Sequence, residues 1–246
     1  MGVGATQSTR LTPAGVDAVR IGKDVIEILT SGMYVSPVTV YREYIQNAAD
    51  SIDAARSEGI ISSRGRGRVS VELDHATRSA VIRDNGAGIA ASAALSTLLS
   101  VGASPKRGTL ARGFRGVGRL SGVAYCRELE FRTKAAGDER VATIAWDCRG
   151  LRERLADSAY NGDLRRIISE VVSVSYGNSD KRDDHFFEVR LLDIARLRND
   201  ILLNERAIAQ YLSQVSPVPF SPDFSRLLLI HYWKCVCFRK VPCLRR

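Results

Sequence analysis

Residues 41–50 read Tyr-Arg-Glu-Tyr-Ile-Gln-Asn-Ala-Ala-Asp, and residues 81–89 read Val-Ile-Arg-Asp-Asn-Gly-Ala-Gly-Ile. The first stretch spaces Glu43, Asn47 and Asp50 at i, i+4 and i+7, which puts them on one stripe of an α-helix. A carboxylate, an amide and a carboxylate make a poor core face. Such a stripe is what an ordinary solvated face looks like, and it is also what lines a site for a hard cation. The other side of the same helix offers Val38, Ile45, Ala49 and Ile52 to a core. Pro37 stands where a first helical turn tolerates a missing N–H, so the helix is expected over about 37–56. The second stretch predicts a strand that runs into an acidic turn with two glycines.

Working outward, residues 14–30 place Val16, Val19, Ile26 and Leu29 on a helical stripe. Residues 68–74 alternate with Val69, Val71 and Leu73 on one side, and Asp74–Thr77 is a turn into a second strand at 79–83. Residues 91–99 read as a short helix rich in alanine and leucine. From Ser100 to Gly116 periodicity is lost, and Lys106, Arg107, Arg112 and Arg115 lie among glycines. A basic glycine-rich loop is a reasonable cover for an anion, or a plain surface loop. A helix resumes at Leu120–Ala124, strands are expected near 127–133, 140–147, 167–176 and 185–192, and a helix at about 204–214. Several helices on one side of a mostly antiparallel sheet make an α+β fold, a two-layer sandwich. No internal repeat is present. The expected organisation is a flexible N-terminus at 1–14, one domain at 15–220, and an atypical tail at 221–246.

Composition agrees with a folded chain: 246 residues, 45% of them hydrophobic. No apolar run has the length a membrane span needs, and the N-terminus has no basic patch followed by an apolar stretch. The expectation is a cytoplasmic protein without membrane contact. The net charge of +9 is carried mostly by arginine. It admits a nucleic-acid partner, and equally an arginine-biased solvated surface. Cys126 and Cys148 lie in apolar contexts and are expected as buried thiols. Cys235, Cys237 and Cys243 follow His231, but no Cys-x-x-Cys pair occurs, so the spacing fits no common structural zinc site.

The chemistry follows from the residue types. Asp84 ends a strand, and a carboxylate there can accept from an exocyclic amine such as that of adenine. Gly86 and Gly88 let the backbone approach a flat ring. The carbonyl oxygen of Asn47 suits Mg²⁺ beside phosphate oxygens. Glu43, one turn earlier, can accept a proton from an attacking water. Gly113-Phe114-Arg115-Gly116-Val117-Gly118 opens a helix, where free N–H groups favour a polyphosphate. Each motif alone is common; their order and contexts together are not.

These residues resemble the GHKL ATPase superfamily, which includes gyrase B, the ninety-kilodalton heat-shock chaperone, histidine kinases and the mismatch-repair protein MutL. Glu43, Asn47 and Asp50 match its first box, Asp84, Gly86 and Gly88 its second, and Gly113, Gly116 and Gly118, followed by Ser121, its third. The resemblance covers about residues 15–192 and implies a Bergerat-type sandwich, with ATP between helices and sheet under a mobile lid. It also implies that Ile89, Lys106, Phe114, Arg115 and Val117 help to hold the nucleotide, that Asn47 binds Mg²⁺, and that Glu43 is the catalytic base.

Glu43 favours the hydrolase branch over histidine kinases, which pass phosphate to histidine and need no water-activating base. His75, His185 and His231 stand in the wrong places for a phosphoacceptor. The loop with Lys106 and Arg107, and the run from Gly113 to Gly116, look partly like the mismatch-repair branch. Residues 211–220 look like prokaryotic chaperone-like ATPases. Two features depart from the family. The Gly-Thr pair expected on a late strand has no counterpart in residues 183–189, and the chain ends soon after Phe220, where hydrolases of this group recruit a basic residue from a following domain. The tail reads as the end of an isolated or truncated N-terminal module. The function implied is Mg²⁺-dependent ATP hydrolysis, chaperone-like and coupled to conformational change or homodimer formation. The alternatives are a non-hydrolysing nucleotide switch and a DNA-transaction module of mismatch-repair type.

Overall fold

The computed structural model describes residues 8–10, 36–62, 65–99, 118–157, 164–179, 184–197, 199–215 and 235–240. The helix expected at 14–30 and the basic stretch at 100–117 lie outside these residues, as do His231 and Cys243.

Helix α1 spans Thr39–Ser57, with Pro37 just ahead of it in the entry turn. Its buried face carries Tyr41, Tyr44, Ile45, Ala48, Ala49 and Ile52, at the spacing an amphipathic helix uses to pack on a sheet. Strands β2 (Arg68–Asp74) and β3 (Ser79–Asp84) form a hairpin in which Val69, Val71 and Leu73 turn inward. Helix α2 follows at Ala91–Leu99. The segment Gly118–Ala124 is a seven-residue 3-10 helix, tighter than the α-helix expected there. Gly122 allows that winding, because its backbone N–H lies 3.0 Å from the Tyr44 hydroxyl on α1.

Strands β4 (Cys126–Lys134) and β5 (Arg140–Asp147) come next. Helix α3 (Cys148–Ala156) escapes the sequence reading because it buries only Cys148, Gly150 and Leu151. Asp147 caps it by accepting from the Gly150 N–H at 2.9 Å. The strand expected at 167–176 is corrected. Leu164–Val171 is helix α4, and strand β6 covers Val172–Asn178. Ile167, Ile168 and Val171 fall at helical spacing and are buried. They run into Val172 and Val174 without a glycine or proline between, so the two periods merge into one apolar run. Strand β7 (Phe186–Ile194) and helix α5 (Glu205–Val215) complete the part read from sequence.

The strands join one sheet, with β1 (Ser8–Arg10) and β8 (Cys235–Lys240) at its edges, in the order β1-β6-β5-β4-β7-β3-β2-β8. All pairings are antiparallel except that of β8 with β2. The fold is the expected α+β two-layer sandwich. One face of the sheet carries Ile82, Phe131, Ile144 and Leu191 into the core with the helices. The other carries Arg83, Glu130, Arg132, Glu188 and Arg190. Cys126 and Cys148 are buried free thiols, as expected. No helix among the described residues is long and apolar enough to cross a membrane.

Helix α1 is fastened to the segment before α5 by the buried Tyr41 hydroxyl, which donates to the Leu202 carbonyl at 2.5 Å. Tyr41→Phe strands that carbonyl, and it is expected to cost about 1–3 kcal/mol, read as a lower urea midpoint with an unchanged slope.

Candidate functional site

Glu43, Asn47 and Ser51 follow one another at four-residue spacing along α1, each about 6 Å from the next along the axis. The two ends of this line touch the other motifs. At Glu43, a Cβ placed on Gly118 would lie 2.3 Å from the carboxylate oxygen, so any other residue there would push the Glu43 side chain aside. At Ser51, the backbone carbonyl accepts from the Ala87 N–H at 3.1 Å, in the turn that follows β3. Asn47 lies between these contacts, half-buried, and its side chain has no hydrogen-bond partner among the described residues. Asp50 is also half-buried, and Gln46 Nε2 lies 3.4 Å from its Oδ1.

Asp84 is 4% exposed at the end of β3. Its Oδ1 accepts from the Gly86 N–H at 2.8 Å. Burial pushes its carboxyl up to about 7, against the opposing pull of the Gly86 N–H, the Ser51 hydroxyl and the Arg83 charge. A buried carboxyl with two neutral donors and no counter-charge bonded to it is suited to meet a polar ligand. The Gly86 carbonyl in turn accepts from His185 Nδ1 at 2.7 Å.

Gly88 has φ +65, and a Cβ there would sit 2.0 Å from the Lys134 carbonyl oxygen and 3.0 Å from that of Phe186. The turn thus crosses the ends of β4 and β7 with no room for a side chain. The Ile89 N–H donates to the Thr133 hydroxyl at 2.8 Å, and that hydroxyl donates to the Phe186 carbonyl at 3.1 Å. Phe187 is the cross-strand partner of both Asp84 and Thr133, so the three share one face. Residues 184–189 place no threonine hydroxyl on this face, and the Thr133 hydroxyl from β4 bonds the turn at Ile89 and the Phe186 carbonyl.

Glu43 and Asn47 thus lie along one stripe of α1, with Gly118 against its Glu43 end and the turn of Asp84, Gly86, Gly88 and Ile89 against its Ser51 end. Lys106, Gly113, Phe114, Arg115, Gly116 and Val117 lie outside the described residues. Ser51, Thr133 and His185 were not singled out from sequence. Ser51 continues the stripe by one turn and was legible in principle; Thr133 and His185 are placed by strand pairing and carry no local signal. The donor set suits Mg²⁺ with a polyphosphate: one amide oxygen with no partner among the described residues, beside a partly exposed carboxylate. The helix that the glycine-rich run was expected to open begins at Gly118 and is a 3-10 helix.

Comparison with known proteins agrees with this geometry. The family described as histidine kinase-, DNA gyrase B-, and HSP90-like ATPase matches residues 35–159. The chaperone protein HtpG of Enterobacter sp. (strain 638) is 28% identical over 158 residues, covering 57% of this chain and 25% of that protein. HtpG of Citrobacter koseri and of Salmonella typhimurium are each 28% identical over 145 residues, covering 52% of this chain and 23% of theirs. The chain thus spans about a quarter of the length of the curated relatives it matches.

The Asp84 environment sets a pH dependence. The folded carboxyl holds its proton up to about 7, while the unfolded one ionises near 3.8. Unfolding between these values releases a proton, so stability from this group is present at low pH and is lost as pH rises through about 7. Asp84→Asn is expected to flatten this slope and to gain on the parent more at pH 8 than at pH 4, as measured by urea unfolding without ligand.

Proposed function

The chain belongs to the histidine kinase-, DNA gyrase B-, and HSP90-like ATPase family, and on that premise we propose that it binds ATP between α1, the 84–89 turn and Gly118, and hydrolyses it. The observation that carries this reading is the line Glu43–Asn47–Ser51, touched at one end by Gly118 and at the other by the turn holding Asp84.

Asp84 accepts from the exocyclic amine of adenine, while the backbone of Gly86 and Gly88 allows the ring to lie close. Asn47 would hold Mg²⁺ through its amide oxygen, and that ion supplies charge neutralisation at the phosphates. Glu43, whose side chain is 31% exposed with Arg42 Nη1 at 3.9 Å, orients a water toward the γ-phosphate and takes its proton. Little covalent work is asked of the protein; the rate comes from positioning and electrostatics. Asp50, Ile89, Lys106 and residues 113–118 complete the nucleotide site in this reading, with the 100–116 segment as its cover. The working unit is residues 15–220, flanked by 1–14 and 221–246. Its cycle serves a chaperone-like conformational change through a homodimer, a role supported by the HtpG relatives.

Glu43→Ala is expected to reduce phosphate release by at least about a hundredfold while ATP affinity stays within a few-fold, measured at protein concentrations high enough for dimers. Unchanged turnover would remove Glu43 from its role. Parent protein that binds ATP yet releases no phosphate would make the chain a nucleotide switch instead. Adenosine affinity is expected to rise as pH climbs through about 7, where Asp84 ionises, and the rise should vanish in Asp84→Asn. A rise that persists in that variant would place the base elsewhere.

A further inference from the structure

Arg119 stands directly after Gly118, in the first turn of the 3-10 helix. Its Nη1 donates to the Thr97 carbonyl near the end of α2 at 2.5 Å. Among the described residues no carboxylate pairs with it. Arg78, Arg83, Arg132, Arg154 and Arg190, which are also partly buried, each meet an acid within 3.2 Å. Arg119 is further marked by its surroundings, since burial holds its guanidinium below the ordinary arginine value. A cation taken partly out of water without a counter-charge pays a desolvation cost that an anionic ligand would offset.

The position of that cation is informative. Gly118 lies in van der Waals contact with the Glu43 carboxylate, and consecutive Cα atoms are about 3.8 Å apart. The Arg119 side chain therefore starts within a few ångströms of the group assigned to the γ-phosphate. A guanidinium carries five N–H donors in a flat fork, and the Thr97 carbonyl takes only one nitrogen. Among the described residues no other acceptor takes the rest of the fork, which has the shape to meet two phosphate oxygens, the geometry in which charge-assisted bonds are strongest.

We propose that Arg119 binds the terminal phosphates of the nucleotide, supplying from within this chain a cation beside Glu43. The proposal rests on the ATP reading above and assigns to it a residue that selects the triphosphate.

The test compares the full chain with Arg119→Gln and Arg119→Lys, titrated with ATP, ADP and adenosine by calorimetry, with thermal unfolding alongside. Glutamine retains an N–H donor for Thr97 and loses the charge; lysine retains the charge. The expected result is that Arg119→Gln weakens ATP by about tenfold or more with adenosine unchanged, and that Arg119→Lys recovers most of the loss. Parental ATP-to-adenosine selectivity in Arg119→Gln, with ATP bound by the parent, overturns the proposal alone. Equal weakening of all three ligands also overturns it, showing that Arg119 only braces α2. A parent that binds neither ATP nor adenosine overturns the ATP reading and this proposal with it.

Discussion

The close approach of the 84–89 turn and of Gly118 to helix α1 is the constraint on which the candidate pocket depends. A side chain at Gly86 would enter the α1 backbone at Ser51, and one at Gly118 would displace the Glu43 carboxylate. The turn has a second anchorage. Gly88 lies against the carbonyls of Lys134 and Phe186, and Thr133 links Ile89 to Phe186. The same turn is thus fixed to the helix layer on one side and to the ends of two strands on the other. Core packing of Ile45, Phe131 and Leu191 holds the two layers together. Asn47 lies on α1 midway between the contacts of the turn and of the 3-10 helix.

The sheet carries a buried carboxylate on each face, and their surroundings give them opposite characters. Asp84, on the helix side, is pushed up by burial, with the single charge of Arg83 among the weaker opposing effects. Glu188, on the open side, is also penalised by burial, but Arg190, Arg83 and Arg132 outweigh that and hold it below the usual glutamate value. Arg83 lies beside Asp84 in sequence yet makes its ion pairs with Asp184 and Glu188. The alternation of a strand sends the two neighbours to opposite faces, so Arg83 makes no ion pair with Asp84, which is held by the Gly86 N–H and the Ser51 hydroxyl instead.

Legibility in the sequence followed the range of the interaction. The stripe on α1, the β2–β3 hairpin and the strand leading to Asp84 are written in local periodicity, and they stand where expected. Helix α3 was missed because Cys148 and Leu151 give it too narrow an apolar face. Helix α4 was misread because its apolar residues run straight into β6. The contacts of Thr133 and His185 depend on the register of β4 and β7, which no local pattern specifies. The edge strands β1 and β8 are three and six residues long and owe their place to a partner strand, not to their own pattern. What was read of the site from motifs was its helix and its turn. What escaped was the set of residues that hold those two against each other.

The net charge also gains a meaning that composition could not give it. Many described arginines are occupied within the fold. Arg78 makes a two-armed contact with Asp200, fastening the β2–β3 turn to the segment before α5. Arg154 and Arg166 both meet Glu170. Arg152 reaches the carbonyls of Val123 and Cys126, tying α3 to the end of the 3-10 helix. In each case a flat fork of donors satisfies two acceptors or spans two elements, which a lysine ammonium does less well. An arginine excess is therefore expected of a sheet that carries ladders of ion pairs on its open face. A positive total by itself does not indicate a nucleic-acid partner. Arg119, next in sequence to Gly118, differs from these arginines: among the described residues it meets no acid and a single carbonyl, that of Thr97.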